Sequence, residues 1–546
     1  MTLGRSRNRD ESIFASAALA MALFERAGLT ELIDSKFTLD KRVKLTPGNT
    51  VKAFIGKLLS TTGRAPIYTL RDYYLNAPTD LLFGEKVDYE AMCATSITRN
   101  LDLLFGLDLD KLSYECYQAF SGLFGFSSNM FNVDMTNFSV TSLNVDDEGN
   151  EAALPQRCGH AKDGHNERLV YSLLSVTDKN GIVCYERPYD GATADSEMDR
   201  GAIEFLSEKV DPKDSTLIAD CKIVTAPLVT MMQDKGFGFI SKCPENFGQK
   251  IKQDIVYSVY NGLMDPSVVR KGWEIYDTDA EVEVSKDRTM NLRFIAYRTA
   301  DDIEAGIRYL REQGGKEAKA RFGRFESKTF NCEVDARRAF EEALCEHTGS
   351  AYVPEYSIEE VQIPQKYEHR GRPRAGEERP VRTEYKVNVN LRFDEDLAKR
   401  LTQDRGIRVL ITNLPRANTD ADNVRFGATA DTVLLSYLGQ YRIEHAFRLL
   451  KSGFGMSCVY LHKASRANVM MFITSLATMI WDVITHISKV KRKKTTATKM
   501  VDGIQHLVLK LDRSSDYLYM DGPEREEDAF IEYLDTLDLD EDHLLK

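Results

Sequence analysis

Three acidic residues stand where the local pattern would let a carboxylate do chemistry: Asp134, Asp220 and Glu444. Asp134 closes the apolar run FNV and Asp220 closes LIA, so both are expected at the rim of a buried sheet, on elements rigid enough to fix a metal ion. Glu444 lies in YLGQYRIEHAFRLLK, Tyr437 to Lys451, where Tyr437, Glu444 and Lys451 stand seven apart. Read as one helix, that stretch puts the three on a stripe drifting only ~20° per step. Gln440 and Arg448 fill the turns between them, and Leu435, Leu438, Ile443, Leu449 and Leu450 form the opposite, buried side. Taken singly, each aspartate is better read as an acceptor for turn hydrogen bonds, and Glu444 as a charge on a solvated face.

The elements that must position these acids follow from periodicity. Residues 11 to about 125 read as helices, with Thr46 as an N-cap and Pro47 at the first helical position before TVKAFIGKLLS. After Phe126 the pattern becomes strands: Phe131 to Asp134, Phe138 to Val145, then Leu169 to Val176 and Ile182 to Arg187 joined by the turn DKNG. Ser196 to Lys209 is helical, Thr216 to Ala219 is a short strand, Pro227 to Lys235 is helical and Phe237 to Ser241 is a strand. This order describes a mixed α/β layer, in which a central first strand brings the Asp134 and Asp220 termini together. A β-meander at Trp273 to Thr299, charged helix over Ala300 to Glu346, a Gly/Pro/Arg-rich loop at Lys366 to Arg382 and strands at Tyr385 to Phe393 and Arg408 to Leu414 then interrupt the layer. The apolar run Val469 to Ile487 contains Thr474, Ser475, Thr478, Asp482 and His486, and reads as a buried core helix rather than a membrane span.

The chain has 546 residues and a net charge of −12, enough for two to four domains. Eleven acids against Arg525 and Lys546 fall between Asp521 and Lys546; the rest is near neutral, so basic patches remain open to it and the tail reads as disordered and solubilising. Nine cysteines without zinc-type spacing suggest free thiols in a reducing compartment. No signal peptide is visible in the sequence.

The segments NVDMT, LIAD and Tyr437-x2-Gln440-x3-Glu444-x6-Lys451 resemble the DDE transposases of bacterial insertion sequences, in the group whose last motif reads Y-x2-R-x3-E-x6-K. GHAKDGHNERLVYSLLSV, Gly159 to Val176, is similar to that group's GxxKD segment leading into a strand. The likeness runs from about Asn132 to Asp482, and it departs from the motif at Gln440, where the group has arginine.

The resemblance implies an α/β fold with a ribonuclease H-like mixed-sheet catalytic core interrupted by a large α+β insertion, preceded by an N-terminal helical domain. The expected divisions are residues 1–125, a helical candidate DNA-binding domain; 126–244 and 426–488, the two parts of the core; 245–425, the insertion; and 489–546, a basic run and acidic tail. It further implies that Asp134, Asp220 and Glu444 hold two Mg²⁺ ions, with Mn²⁺ able to substitute, for cleavage at transposon ends and strand transfer. Tyr437, Gln440, Arg448 and Lys451 would face DNA, joined by Lys162 and Lys222. Arg370, Arg372 and Arg374 in HRGRPR resemble the arginines of segments that enter narrow minor grooves. The expected partners are terminal inverted repeats and target DNA, bound by a homodimer without a membrane, in a cytoplasmic, nucleoid-associated setting. A catalytically silent, transposase-derived DNA-binding regulator is the alternative from another class.

Overall fold

The structure, a computed structural model, describes residues 11–60, 69–84, 87–140, 157–158, 169–270, 272–366, 378–448, 458–459, 463–492, 497–515 and 517–544. The chain divides into two compact units, Met1–Ser241 with Thr412–Lys546, and Lys242–Ile411.

In the first unit, helices α1 (Ala15–Arg26), α2 (Pro47–Leu58), α3 (Ala94–Phe105) and α4 (Leu109–Phe124) precede the sheet. Helix α2 starts where the sequence predicts: the Thr46 hydroxyl accepts the Asn49 N–H at 3.1 Å, and Pro47 takes the first position, where no N–H is needed.

The longer strands of the α/β part among the described residues are β1 (Met130–Val140), β2 (Leu169–Asp178), β3 (Val183–Asp190), β4 (Thr216–Ala219) and β5 (Gly238–Lys242). They pair in the order β3-β2-β1-β4-β5. The first three are antiparallel to one another, whereas β4 runs parallel to β1 and β5 parallel to β4. The β2–β3 turn forms because Asp178 Oδ1 accepts the N–H groups of Asn180 and Ile182, at 2.8 and 2.9 Å, and Gly181 supplies φ +84°. Parallel pairing needs long crossovers, and helices α5 (Asp195–Lys209) and α6 (Ala226–Lys235) supply them.

Two sequence expectations change here. The runs at Phe131 and Phe138 are one strand, β1, so Asp134 lies within it rather than at its end. Its neighbour β4 is shorter and pairs only with Met130–Val133, so Asp134 still stands just beyond the parallel ladder. The stretch around Glu444 is two helices, α7 (Ala430–Leu438) and α8 (Tyr441–Arg448), separated by Gly439–Gln440. Glycine weakens a helix interior, and here the Gln440 N–H bonds to Tyr437 O three residues back. The seven-residue stripe is therefore interrupted between Tyr437 and Glu444. The buried positions are Val433, Leu434, Ile443 and Phe447, while Leu435 is exposed.

Helix α9 (Ala464–Arg492) packs against α2, α3, α4 and β3, so the N-terminal helices and the sheet belong to one unit. It is long and apolar enough to cross a membrane, but its apolar window is wholly buried within the protein. Its hydroxyls turn inward on the helix: Thr474 donates to Met470 O at 2.7 Å, Thr478 to Thr474 O at 3.0 Å and Ser488 to Ile484 O at 2.7 Å.

The acidic segment is not a disordered tail. Strand Glu11–Phe14 pairs with Val508–Asp512, which pairs in turn with Tyr517–Asp521. Helix α10 (Glu524–Leu537) follows, and Arg26 of α1 donates to Leu537 O at 2.6 Å and pairs with Asp538 at 2.7 Å. Its buried residues Phe530, Tyr533, Leu534 and Leu537 explain the order: a high charge count does not prevent folding when one helical face is apolar.

Glu186 on β3 is buried, and among the described residues neither of its carboxylate oxygens has a hydrogen-bond partner. Burial pushes its carboxyl up to about 7 from an ordinary 4.5, against a smaller downward pull from the nearby hydroxyls of Ser475 and Ser175. The folded chain thus keeps a proton that the unfolded chain releases. Stability from this group is expected to fall as pH rises from about 4.5 to about 7, by on the order of 3 kcal/mol, and to level above that. Denaturation of the wild type and Glu186→Gln across the range checks it, the variant showing a shallower decline.

The second unit contains the hairpin Trp273–Ser285/Arg288–Thr299 and a three-stranded sheet, Thr329–Phe330, Val381–Phe393 and Tyr352–Pro364, with Val381–Phe393 central. Helix Glu333–Cys345 covers that sheet through Phe340 and Ala343, against Phe322, Phe325 and Val387. Tyr352–Pro364 is a strand that periodicity did not mark, because it is mostly exposed along its length and contains Pro354.

Candidate active site

The β1 and β4 registers bring the two aspartates together. Val133 pairs with Ala219 across the parallel ladder, and Asp134 and Asp220 each follow that pair in sequence, Asp134 within β1 and Asp220 just past the end of β4. Beyond Ala219 the chain leaves the ladder: Asp220 is extended, with φ −70° and ψ 169°, and leads into the short turn Cys221–Ile223. This divergence opens the crevice at the carboxyl end of a parallel strand where ligands of α/β folds sit.

Asp134 and Asp220 both line one cavity of about 260 Å³, together with Asn137, Asp195, Asp199 and Lys222. Asp134 Oδ1 also accepts the Met135 N–H at 2.7 Å. Asp195 and Asp199 are one turn apart on α5, so they share a helix face. The Lys222 ammonium pairs with Asp195, which raises the lysine's pKa and keeps it charged. Asp199 is 1% exposed and, among the described residues, its Oδ2 has no hydrogen-bond partner. Burial, followed by the charges of Asp195 and Asp134, pushes its carboxyl up to about 7.

The remaining sequence candidates divide by location. Glu444 is exposed on α8, which packs against β1 and β2, but it is not among the residues lining the cavity. Tyr437 is half-buried near the end of α7 and Gln440 sits in the turn before α8. Arg448 is the last residue of α8; nothing is described of its side chain. Lys162, Arg370, Arg372, Arg374 and Lys451 lie outside the described residues.

Sequence reasoning passed over Asp195 and Asp199. The signal was present as DSEMD, an acid pair at helical spacing opening the crossover between β3 and β4. It went unread because acids are ordinary in a first helical turn.

Among the described residues, no three His, Cys, Asp or Glu side chains stand together as a ready-made cage for a metal. The donor set nevertheless fits a hard cation: carboxylate oxygens surround an open space, with one carboxylate oxygen buried and unpartnered. Mg²⁺ keeps several waters and takes one or two carboxylates plus substrate phosphate oxygens rather than an all-protein cage. Two aspartates, a lysine and room for water are sufficient for that mode.

Residues 15–117 match the family model described as a domain of unknown function, DUF4277. No curated protein matches the chain.

Proposed function

We propose that this chain is a DDE transposase with a ribonuclease H-like core, cutting DNA at transposon ends and joining those ends to target DNA. The observation that carries the reading is the placement of Asp134 and Asp220 one residue beyond the paired Val133 and Ala219, on a shared cavity. The sheet order, with β1 central between an antiparallel pair and two parallel strands, supports it.

Asp134, Asp220 and Glu444 are the residues that would hold divalent ions. When bound, Mg²⁺ or Mn²⁺ supplies Lewis-acid stabilisation of the phosphodiester and an activated oxygen nucleophile. The chain's own part is to fix donors at adjacent strand positions. The rigidity of β1, paired with β2 at Asp134 and with β4 up to Val133, holds Asp134. Lys222 adds positive charge at the cavity mouth, where a phosphate would displace its pairing with Asp195. The same site can serve both steps, because the 3′-hydroxyl released by cleavage is the nucleophile for joining. Tyr437, Gln440, Arg448, Lys451, Lys162 and the arginines of HRGRPR are assigned to DNA, and a homodimer on paired terminal repeats is the acting form.

The test is an assay of the purified chain on DNA carrying the inverted repeats that flank its gene, with Mg²⁺ and added target DNA. Cleavage at the repeat ends and a joined product are expected. Sequence-specific binding with neither cleavage nor joining would instead mark a catalytically silent regulator.

A further inference from the structure

We propose that Asp199 is a further metal-binding carboxylate of the cavity, holding a divalent cation together with Asp134 and Asp220. This rests on the reading of the cavity as a metal site. Asp199 enters from α5 and lines the same space as the two strand aspartates. It is 1% exposed, and its Oδ2 meets no donor among the described residues.

A buried carboxylate oxygen without a donor is costly, since it has given up water and gained nothing in return. Native chains normally remove such an oxygen or supply its partner. Here the surroundings supply the opposite of a partner: Asp134, Asp195 and Asp220 add negative charge to the same space. Among the described residues lining the cavity, Lys222 is the one cation, and its ammonium is directed to Asp195. The three carboxylates do not close on one point as they stand; a cation between Asp199 and the strand aspartates would draw them together, give the Oδ2 atom a partner and offset the clustered charge. The donors are all hard oxygens, which selects Mg²⁺ or Mn²⁺ over softer metals. The competing occupant of the Asp199 oxygen is a proton, which would leave the residue irrelevant to metal affinity.

The experiment is Mn²⁺ binding to the full chain without DNA, followed by the electron paramagnetic resonance signal of the free ion. It is run on the wild type, Asp199→Asn, Asp199→Ser and Asp134→Asn, with circular dichroism as the check on fold. Folded Asp199 variants are expected to bind at least about tenfold more weakly than wild type, the scale set by loss of even an outer partner of a metal site. Asp134→Asn is expected to weaken binding as well. Wild-type affinity in a folded Asp199 variant, alongside a loss in Asp134→Asn, would overturn the role of Asp199 and leave the metal site standing. Absence of Mn²⁺ binding in the wild type would overturn both. The serine variant carries the test if the amide is not accommodated.

Discussion

Alanine at Asp134 or at Asp220 is expected to lower Mg²⁺-dependent cleavage of terminal-repeat DNA by roughly a thousandfold or more, with binding of the uncut ends retained. The size follows from losing several kcal/mol of metal-borne transition-state stabilisation, at about 1.4 kcal/mol per tenfold in rate. Asp220 follows the end of β4, and Asp134 is paired on the β2 side through its backbone alone, opposite Ser175, while the buried pair of the parallel ladder is their neighbours Val133 and Ala219. The variants should therefore fold, and cleavage measured beside a gel-shift for end binding separates chemistry from recognition. Cleavage by either variant at near the wild-type rate would remove that residue from the metal site. Glu444→Ala belongs in the same series. Its exposed carboxylate makes a folding defect an unsuitable explanation for any loss, and α8 packs on the two strands β1 and β2.

A comparably large effect on stability is expected at Asp277 in the second unit. Arg293 and Asp277 face each other diagonally across the hairpin Trp273–Ser285/Arg288–Thr299, with the guanidinium donating to both carboxylate oxygens at 2.9 and 2.7 Å. Their side chains are 2% and 6% exposed. Asp277→Ala takes away a buried carboxylate that accepts two of the guanidinium's hydrogen bonds, which costs about 3–5 kcal/mol, whereas Arg293→Met with Asp277→Leu replaces the pair by apolar groups and is expected to cost less than the single change. Denaturation midpoints, with hydrogen exchange across Trp273–Thr299, check both. A single variant as stable as wild type would show that the pair contributes little.

The parts of the fold legible in the sequence are those governed by one local rule. Strand β4 reads directly from a short, wholly buried run, and α2 from a capping threonine followed by proline. Asp134 was placed at a strand end because Asn132, Asp134 and Asn137 interrupt the apolar run; the continuous β1 is held by its full-length antiparallel pairing with β2, a nonlocal contact that periodicity does not encode. The break at Gly439 was visible as a glycine, but the seven-residue spacing outweighed it. The acidic C-terminal segment reads as a tail by its charge, and the apolar face of α10 is what folds it. Asp199 was hidden for a different reason: its meaning comes from the cavity that β1, β4 and α5 enclose jointly, and its own neighbours in sequence suggest only a helix start.

The central claim is that Asp134 and Asp220 form a metal-dependent phosphodiester centre, and Mn²⁺ is the most direct probe of it. Anomalous diffraction from crystals of the full chain equilibrated with Mn²⁺ is expected to show a peak between the carboxylates of Asp134 and Asp220, in the cavity they share. A saturating Mn²⁺ concentration with no peak there, or with ordered ions only elsewhere on the chain, would contradict it.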